Sequence, residues 1–172
     1  SFNALHWVLD QRLALSRIAA ALGPSGWALL VFVCDGERPS LESVAMQVVR
    51  SAAWQPSFDG FEAPFIHPEI EAWTQIAESC GLQVVDSTVD DLEWDFGSRE
   101  RFQRWASAGF GVWTDHLPAE VGQAFLGDVV DAGELFRQVR LDPLDGSLDG
   151  DGEERGVGRA GAGAGLGVIA DH

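Results

Sequence analysis

Basic residues are scarce in this chain: 11 Lys and Arg stand against 27 Asp and Glu, for a formal charge of −16. A surface that negative repels phosphate, so nucleic acid is excluded as an expected partner and anionic membranes are disfavoured. Long apolar runs are also missing. No stretch of about eighteen apolar residues occurs, so no segment is expected to span a bilayer. Cysteine is limited to Cys34 and Cys80, outside any Cys-x-x-Cys spacing, and the four histidines fall at no metal-ligand spacing. Neither a disulfide framework nor a metal centre is expected, and two reduced thiols fit a cytoplasmic setting. There is no internal repeat.

What is present is a core. Hydrophobic residues make up 46% of the 172, with seven Trp and ten Phe, which is far from the composition of a disordered chain. Ser1-Phe2-Asn3-Ala4-Leu5-His6-Trp7-Val8 is apolar and aromatic from its first residue, with no initiator Met, polar lead-in or signal peptide. It reads as the carboxyl end of a buried strand emptying into a helix near Asp10. In open α/β sheets that is where ligands gather. The expectation is the second half of an α/β enzyme, cut at its site.

Leu15, Ile18, Ala19 and Leu22 repeat at helical spacing, so the pattern predicts a helix over about 9–22, stopped by Gly23-Pro24-Ser25-Gly26. Trp27 to Val33 is apolar without alternation, as in a strand covered on both faces. Pro39-Ser40 starts a second helix with Leu41, Val44, Ala45 and Val48 on one side. Trp54 to Phe65 is an aromatic loop interrupted by Pro and Gly. A helix follows from Pro68 to Ser79, and Gly81 stops it. Leu82 to Phe96 is extended, Ser98 caps a short helix with Phe102 and Trp105, and Pro118 opens another with Val121, Phe125 and Val129 inward. Leu135 to Leu141 alternates and predicts a final strand. Residues 143–172 form a low-complexity tail. From 145 onward Gly, Asp, Ala and Arg dominate without an aromatic, so disorder is expected there.

Two segments carry a resemblance. Ser1-Phe2-Asn3-Ala4-Leu5-His6-Trp7-Val8 resembles the fourth-strand motif Asn-Ala-Ala-Leu-His-Trp-Val of class I S-adenosylmethionine-dependent methyltransferases of the trans-aconitate and juvenile-hormone-acid type. Leu22-Gly23-Pro24-Ser25-Gly26-Trp27-Ala28-Leu29-Leu30 is similar to that family's Leu-Lys-Pro-Gly-Gly turn and fifth strand. The resemblance covers about 1–141. It implies a partial Rossmann-like α/β sheet, in which residues 1–142 are the C-terminal part of a methyltransferase domain. The family's strand order is 3-2-1-4-5-7-6 with the last strand antiparallel. Strand four would end at Ser1–Leu5, strand five would be Trp27–Val33, strand six would lie in Leu82–Phe96 and strand seven in Leu135–Leu141. The helices around 98–132 would form the substrate cap. The Gly-rich turn after strand one and the acidic residue ending strand two have no counterpart between Ser1 and Leu141.

The resemblance further implies S-adenosylmethionine as cofactor and a small-molecule oxygen acceptor. Methyl transfer rests on positioning and a dry pocket more than on acid–base chemistry. Ser1, Phe2 and Asn3 are the candidate cofactor side, with Asn3 hydrogen-bonding and Phe2 packing. His6 and Trp7 are the candidate catalytic pair, His6 orienting a carboxylate or assisting deprotonation. Aromatic faces suit a cationic sulfonium, and Trp54, Phe65 and His67 would wall the acceptor pocket. Each has a plainer alternative: an inward staple for His6 and Trp7, a turn residue for Asn3, ordinary core for the aromatic loop. Asp86, Asp90, Asp91, Glu93 and Asp95 read as a strand's wet face, and Asp10 as a helix N-cap. The alternative for the whole chain is a truncated, catalytically silent domain that acts at most in interaction or oligomerisation.

Overall fold

The computed structural model describes residues 1–138 and 160–171, with the side chains at 91–94, 134–138 and 160–171 outside that description. The chain is mixed α/β and divides into two compact units. The first holds Ser1–Ser40, Glu62–Glu93 and the described residues from Gly161. The second holds Leu41–Phe61 and the described residues from Trp94 to Ala160.

The first unit is built on β1 (Trp27–Cys34). Along one edge Phe2 forms a parallel bridge with Val31, in which the Val31 amide donates to Ser1 O at 2.9 Å and Asn3 N–H donates to Val31 O at 2.7 Å. Asn3 then adopts φ 52°, a left-handed conformation that Asn tolerates better than most residues, and turns the chain off the sheet. A single 3₁₀ turn, Leu5–Trp7, leads to α1 (Gln11–Ala21), whose N-terminus Asp10 caps by accepting from Leu13 N–H at 2.9 Å. The expected Asp10 cap is therefore in place.

β1 buries one face: Leu30, Phe32 and Cys34 are enclosed, while Leu29, Val31 and Val33 are half-buried. The buried face packs with Leu15 and Ala19 of α1 and with Trp73 and Ala77 of α3 (Ile70–Ser79). Phe32 and Trp73 bring their ring centroids to 4.9 Å, a contact between two fully buried aromatics. Each such side chain contributes about 1.5–3 kcal/mol by burial. Neither Cys34 nor Cys80 is in a disulfide, and burial raises the pKa of Cys34.

The turn into β1 is tight. Gly26 N–H donates to Gly23 O at 2.8 Å, and a Cβ on Gly26 would lie 2.9 Å from that same oxygen, so only glycine fits. Ser25 just before it sits at φ 61°, where the resembling motif has glycine.

Three strands form one sheet in the order β1-β3-β2, where β2 is Gln83–Trp94 and β3 is Ala160–Asp171. β3 runs antiparallel to β1, from Trp27↔Asp171 to Cys34↔Ala164. Two expectations are corrected here. The segment at 160–171, expected to be disordered, is the middle strand. Composition measures the side-chain burial a segment can offer, whereas a middle strand is held by main-chain bonds on both edges, which are blind to composition. The expected strand at Leu135–Leu141 is instead helical as far as Gln138, and 139–141 lie outside the described residues.

The second unit is helical, with α2 (Leu41–Val49), α4 (Arg99–Gly109), α5 (Gly111–Thr114) and α6 (Ala119–Gln138). Ser98 caps α4, its Oγ accepting from Arg101 N–H at 3.3 Å. Phe125, Leu126, Val129 and Val130 of α6 are buried, as are Val44, Ala45, Met46, Val48 and Val49 of α2. The helix runs through Gly133 rather than ending there. A Cβ at Gly133 would meet Phe102 at 3.3 Å and Leu41 at 3.4 Å, so this glycine admits neighbours and is not a stop.

Two outcomes follow. Shortening the chain at Asp142 removes β3 and leaves the inner edge of β1 unpaired. The melting temperature should fall by at least about 5 °C, the response of a domain this size to roughly 2 kcal/mol. An unchanged melt would return 160–171 to disorder. Ser25→Gly relieves a left-handed non-glycine residue and should raise stability by about 0.5–1 kcal/mol in urea denaturation; a loss would mean the serine side chain holds the turn.

Candidate functional site

The site lies where the chain leaves the sheet at the carboxyl ends of Ser1–Asn3 and β1. The Leu5–Trp7 turn swings back over β1. This places the His6 ring against the strand, and Val33 N–H donates to its Nδ1 at 3.4 Å. His6 is 0% exposed. On the other side, the Phe65–Pro68 segment is tied down twice: Ile66 N–H donates to His6 O at 2.8 Å, and Asp35 N–H donates to Pro68 O at 3.1 Å. The two crossings hold this segment against the turn and against the end of β1.

Four rings close a circuit there. His6 and Trp7 lie 5.2 Å apart, Trp7 meets Phe65 edge-on at 6.1 Å, Phe65 stacks on His67 at 4.4 Å, and His67 returns to His6 at 5.9 Å. Ser40 Oγ lies 3.3 Å from His67 Nδ1.

Burial holds the His6 pKa down, from 6.5 to about 4, and the neighbouring charge of His67 adds to it. Burial likewise lowers His67 to about 4, against the opposing pull of the Asp35 carboxylate. Both rings are neutral at physiological pH. In a neutral ring whose Nδ1 accepts a hydrogen bond, the proton sits on Nε2. The Nε2 atom of His6 is buried and meets no hydrogen-bond partner among the described residues. A buried donor left in that condition costs about 1–3 kcal/mol, which a ligand oxygen would recover. A ring with a pKa near 4 is a weak base at neutral pH, so the geometry suits a donor that orients an oxygen and not a group that deprotonates it.

Of the residues singled out by sequence, His6, Trp7, Phe65 and His67 converge. Ser1 and Asn3 are nearby through β1, but their main chains are engaged there, and the Phe2 side chain is 72% exposed. Trp54 belongs to the second unit, where its ring packs edge-on to Phe125 at 5.2 Å and its Nε1 donates to Asp128 Oδ2 at 2.7 Å. The sequence reading passed over three residues. Ser40 and Asp35 stand beside His67, and Gln11 braces the turn. Ser40 was read only as a helix start. Gln11, a buried amide opening an amphipathic helix, is a signal that periodicity alone does not weigh. Among the described residues no group of three His, Cys, Asp or Glu could hold a metal ion, and no helix is long and apolar enough to cross a membrane.

No family model and no curated protein matches the chain. Among solved structures it is similar to phosphoethanolamine N-methyltransferase 2 of Haemonchus contortus in complex with phosphomonomethylethanolamine and S-adenosylhomocysteine. Identity is 13%, the TM-score is 0.43, and the match covers 99% of this chain and 32% of that one. The chain thus spans about a third of that protein's length, and a likeness this loose does not bear on the chemistry of the site.

The two histidines set a pH response. Their folded-state values lie below the ordinary 6.5, so on acidification the unfolded chain takes up protons first, while the folded protein stays neutral down to about 4. Their contribution is intact above pH 6.5 and is lost as pH falls from 6.5 towards about 4. Thermal melts across that window should show a steeper loss for the natural chain than for the His6→Gln, His67→Gln double variant. Parallel pH profiles would remove the histidines from the account.

Proposed function

We propose that this chain carries part of an S-adenosylmethionine-dependent methyltransferase domain that moves a methyl group to an oxygen of a small molecule in the cytoplasm. The strand order carries this reading. Ser1–Asn3, β1, β3 and β2 lie side by side, the first pair parallel and the second antiparallel. This arrangement supports the order four, five, seven, six that the resemblance implies, with 160–171 taking the place of strand seven. Supporting it, the His6–Trp7 motif lies at the carboxyl end of these strands, where open α/β sheets bind ligands.

The parts then take roles. The sulfonium of the cofactor is a cation for which the Trp7 and Phe65 faces provide favourable surroundings. Ser1, Phe2 and Asn3 lie on the cofactor side, and the exposed Asn3 side chain, at the left-handed turn, is placed to reach its methionine portion. His6 Nε2–H orients the acceptor oxygen in a water-poor setting, where positioning supplies most of the rate. His67 and Ser40 complete the acceptor wall.

Titration of the labelled chain with S-adenosylhomocysteine, followed by amide and ring resonances, tests this. Binding should be weak, with shifts confined to Ser1–Trp7, Asp35–Ser40 and Phe65–Pro68. If those segments stay unperturbed at high ligand concentration, the chain is better read as a silent interaction domain.

A further inference from the structure

The turn that presents His6 and Trp7 is not self-supporting. It is one 3₁₀ turn, Leu5–Trp7, with no side-chain cap at Ala4, and its own main-chain bonds are Trp7 N–H to Ala4 O at 3.1 Å and Val8 N–H to Leu5 O at 3.0 Å. So short a helix pays the cost of nucleation with almost no propagation to offset it. Something outside must hold it.

Besides the main-chain bond from Ile66 N–H to His6 O and the bond from Val33 N–H to the His6 ring, one side chain braces the turn. Gln11, the first residue of α1, is 6% exposed. Its Nε2 donates to Leu5 O at 2.8 Å and to Val8 O at 2.5 Å, the two carbonyls that bracket His6 and Trp7. Its Oε1 accepts from Trp73 Nε1 at 3.1 Å, and Trp73, on α3, is 0% exposed. Both amide protons and the carbonyl are therefore in use, each on a different partner. A glutamate here would satisfy Trp73 but has no proton for the two carbonyls. A methionine would fill the volume and make none of the three bonds. An asparagine has the right groups one methylene short.

We propose that Gln11 is the positioning residue of this site: its carboxamide ties the Leu5–Trp7 turn to α1 and α3 and so sets where the His6 and Trp7 rings stand. The consequence reaches the chemistry through Val33. The Val33 N–H to His6 Nδ1 bond is long, at 3.4 Å, and a small rotation of the turn breaks it. With that bond gone, nothing selects the Nε2–H tautomer, and the buried donor is no longer aimed at one point. Gln11 touches neither cofactor nor acceptor and acts only through the turn.

The inference rests on reading His6 and Trp7 as site residues, yet its test needs no ligand, so the two can fail separately. The experiment is two-dimensional NMR of the histidine ring nitrogens in the full chain, which reports the tautomer and titration midpoint of His6. The natural chain should show the Nε2–H form, neutral down to about 4. In Gln11→Met, His6 should show mixed tautomers and a midpoint raised by about one unit or more towards its ordinary value. Trp73→Phe removes the indole donor and part of the ring but leaves both Gln11 Nε2 bonds, and should lower the melting temperature with a clearly smaller change at His6 than Gln11→Met gives. If Gln11→Met does not fold, Gln11→Asn carries the same test, with a smaller shift in the same direction. An unchanged His6 in the Gln11 variant, or an equal change in Trp73→Phe, would overturn the proposal and make Gln11 a core residue only.

Discussion

The main-chain edges of β1 are the constraint on which the first unit depends. One edge is shared by Ser1, Asn3 and the His6 ring, which take Leu29 O, Val31 and Val33 N–H in turn. The other edge is filled by β3 along the length of the strand. A strand's polar groups point alternately to its two sides, so each residue of β1 is committed to one neighbour. Leu29, Val31 and Val33 serve the first edge, and the site inherits its position from that alternation. Were β1 to slip by one residue, Val33 N–H would face β3, and His6 would lose its anchor.

The site is built by layers of satisfaction. β1 positions the start of the chain, the start of the chain positions the turn, and the turn exposes two carbonyls that Gln11 holds. The Phe65–Pro68 segment closes over the result through Ile66 and Pro68. At the end of this sequence of bonds the buried His6 Nε2 is left unmatched among the described residues. Buried donors are nearly always paired, and this exception at a strand's carboxyl end supports the proposed ligand site. The surrounding rings keep both histidines neutral through burial, so the surroundings that strand the donor also keep it from becoming a cation.

Much of this was legible in advance. The helices at Gln11–Ala21 and Ile70–Ser79, and β1 and β2, follow from periodicity and from the Gly-Pro-Ser-Gly turn. His6, Trp7, Phe65 and His67 stand together. Trp54 does not join them, because it is spent on Phe125 and Asp128 in the second unit. An aromatic in a loop is equally suited to a pocket wall or a core, and only its neighbours decide which.

Local patterns settled what local physics controls. The spacing of apolar side chains, the Asp10 and Ser98 caps, and the glycine that alone fits at Gly26 each act within a few residues. They are written in the sequence because the groups that satisfy them are neighbours in it. Tertiary structure decided the rest. It placed a Gly- and Ala-rich segment at 160–171 in the middle of the sheet, and it carried α6 past Gly133. It also set Gln11 between Leu5, Val8 and Trp73. These depend on backbone groups and on close approach between segments as many as 62 residues apart in the case of Gln11 and Trp73. Backbone groups are the same in every residue, so no composition or periodicity announces which of them will meet.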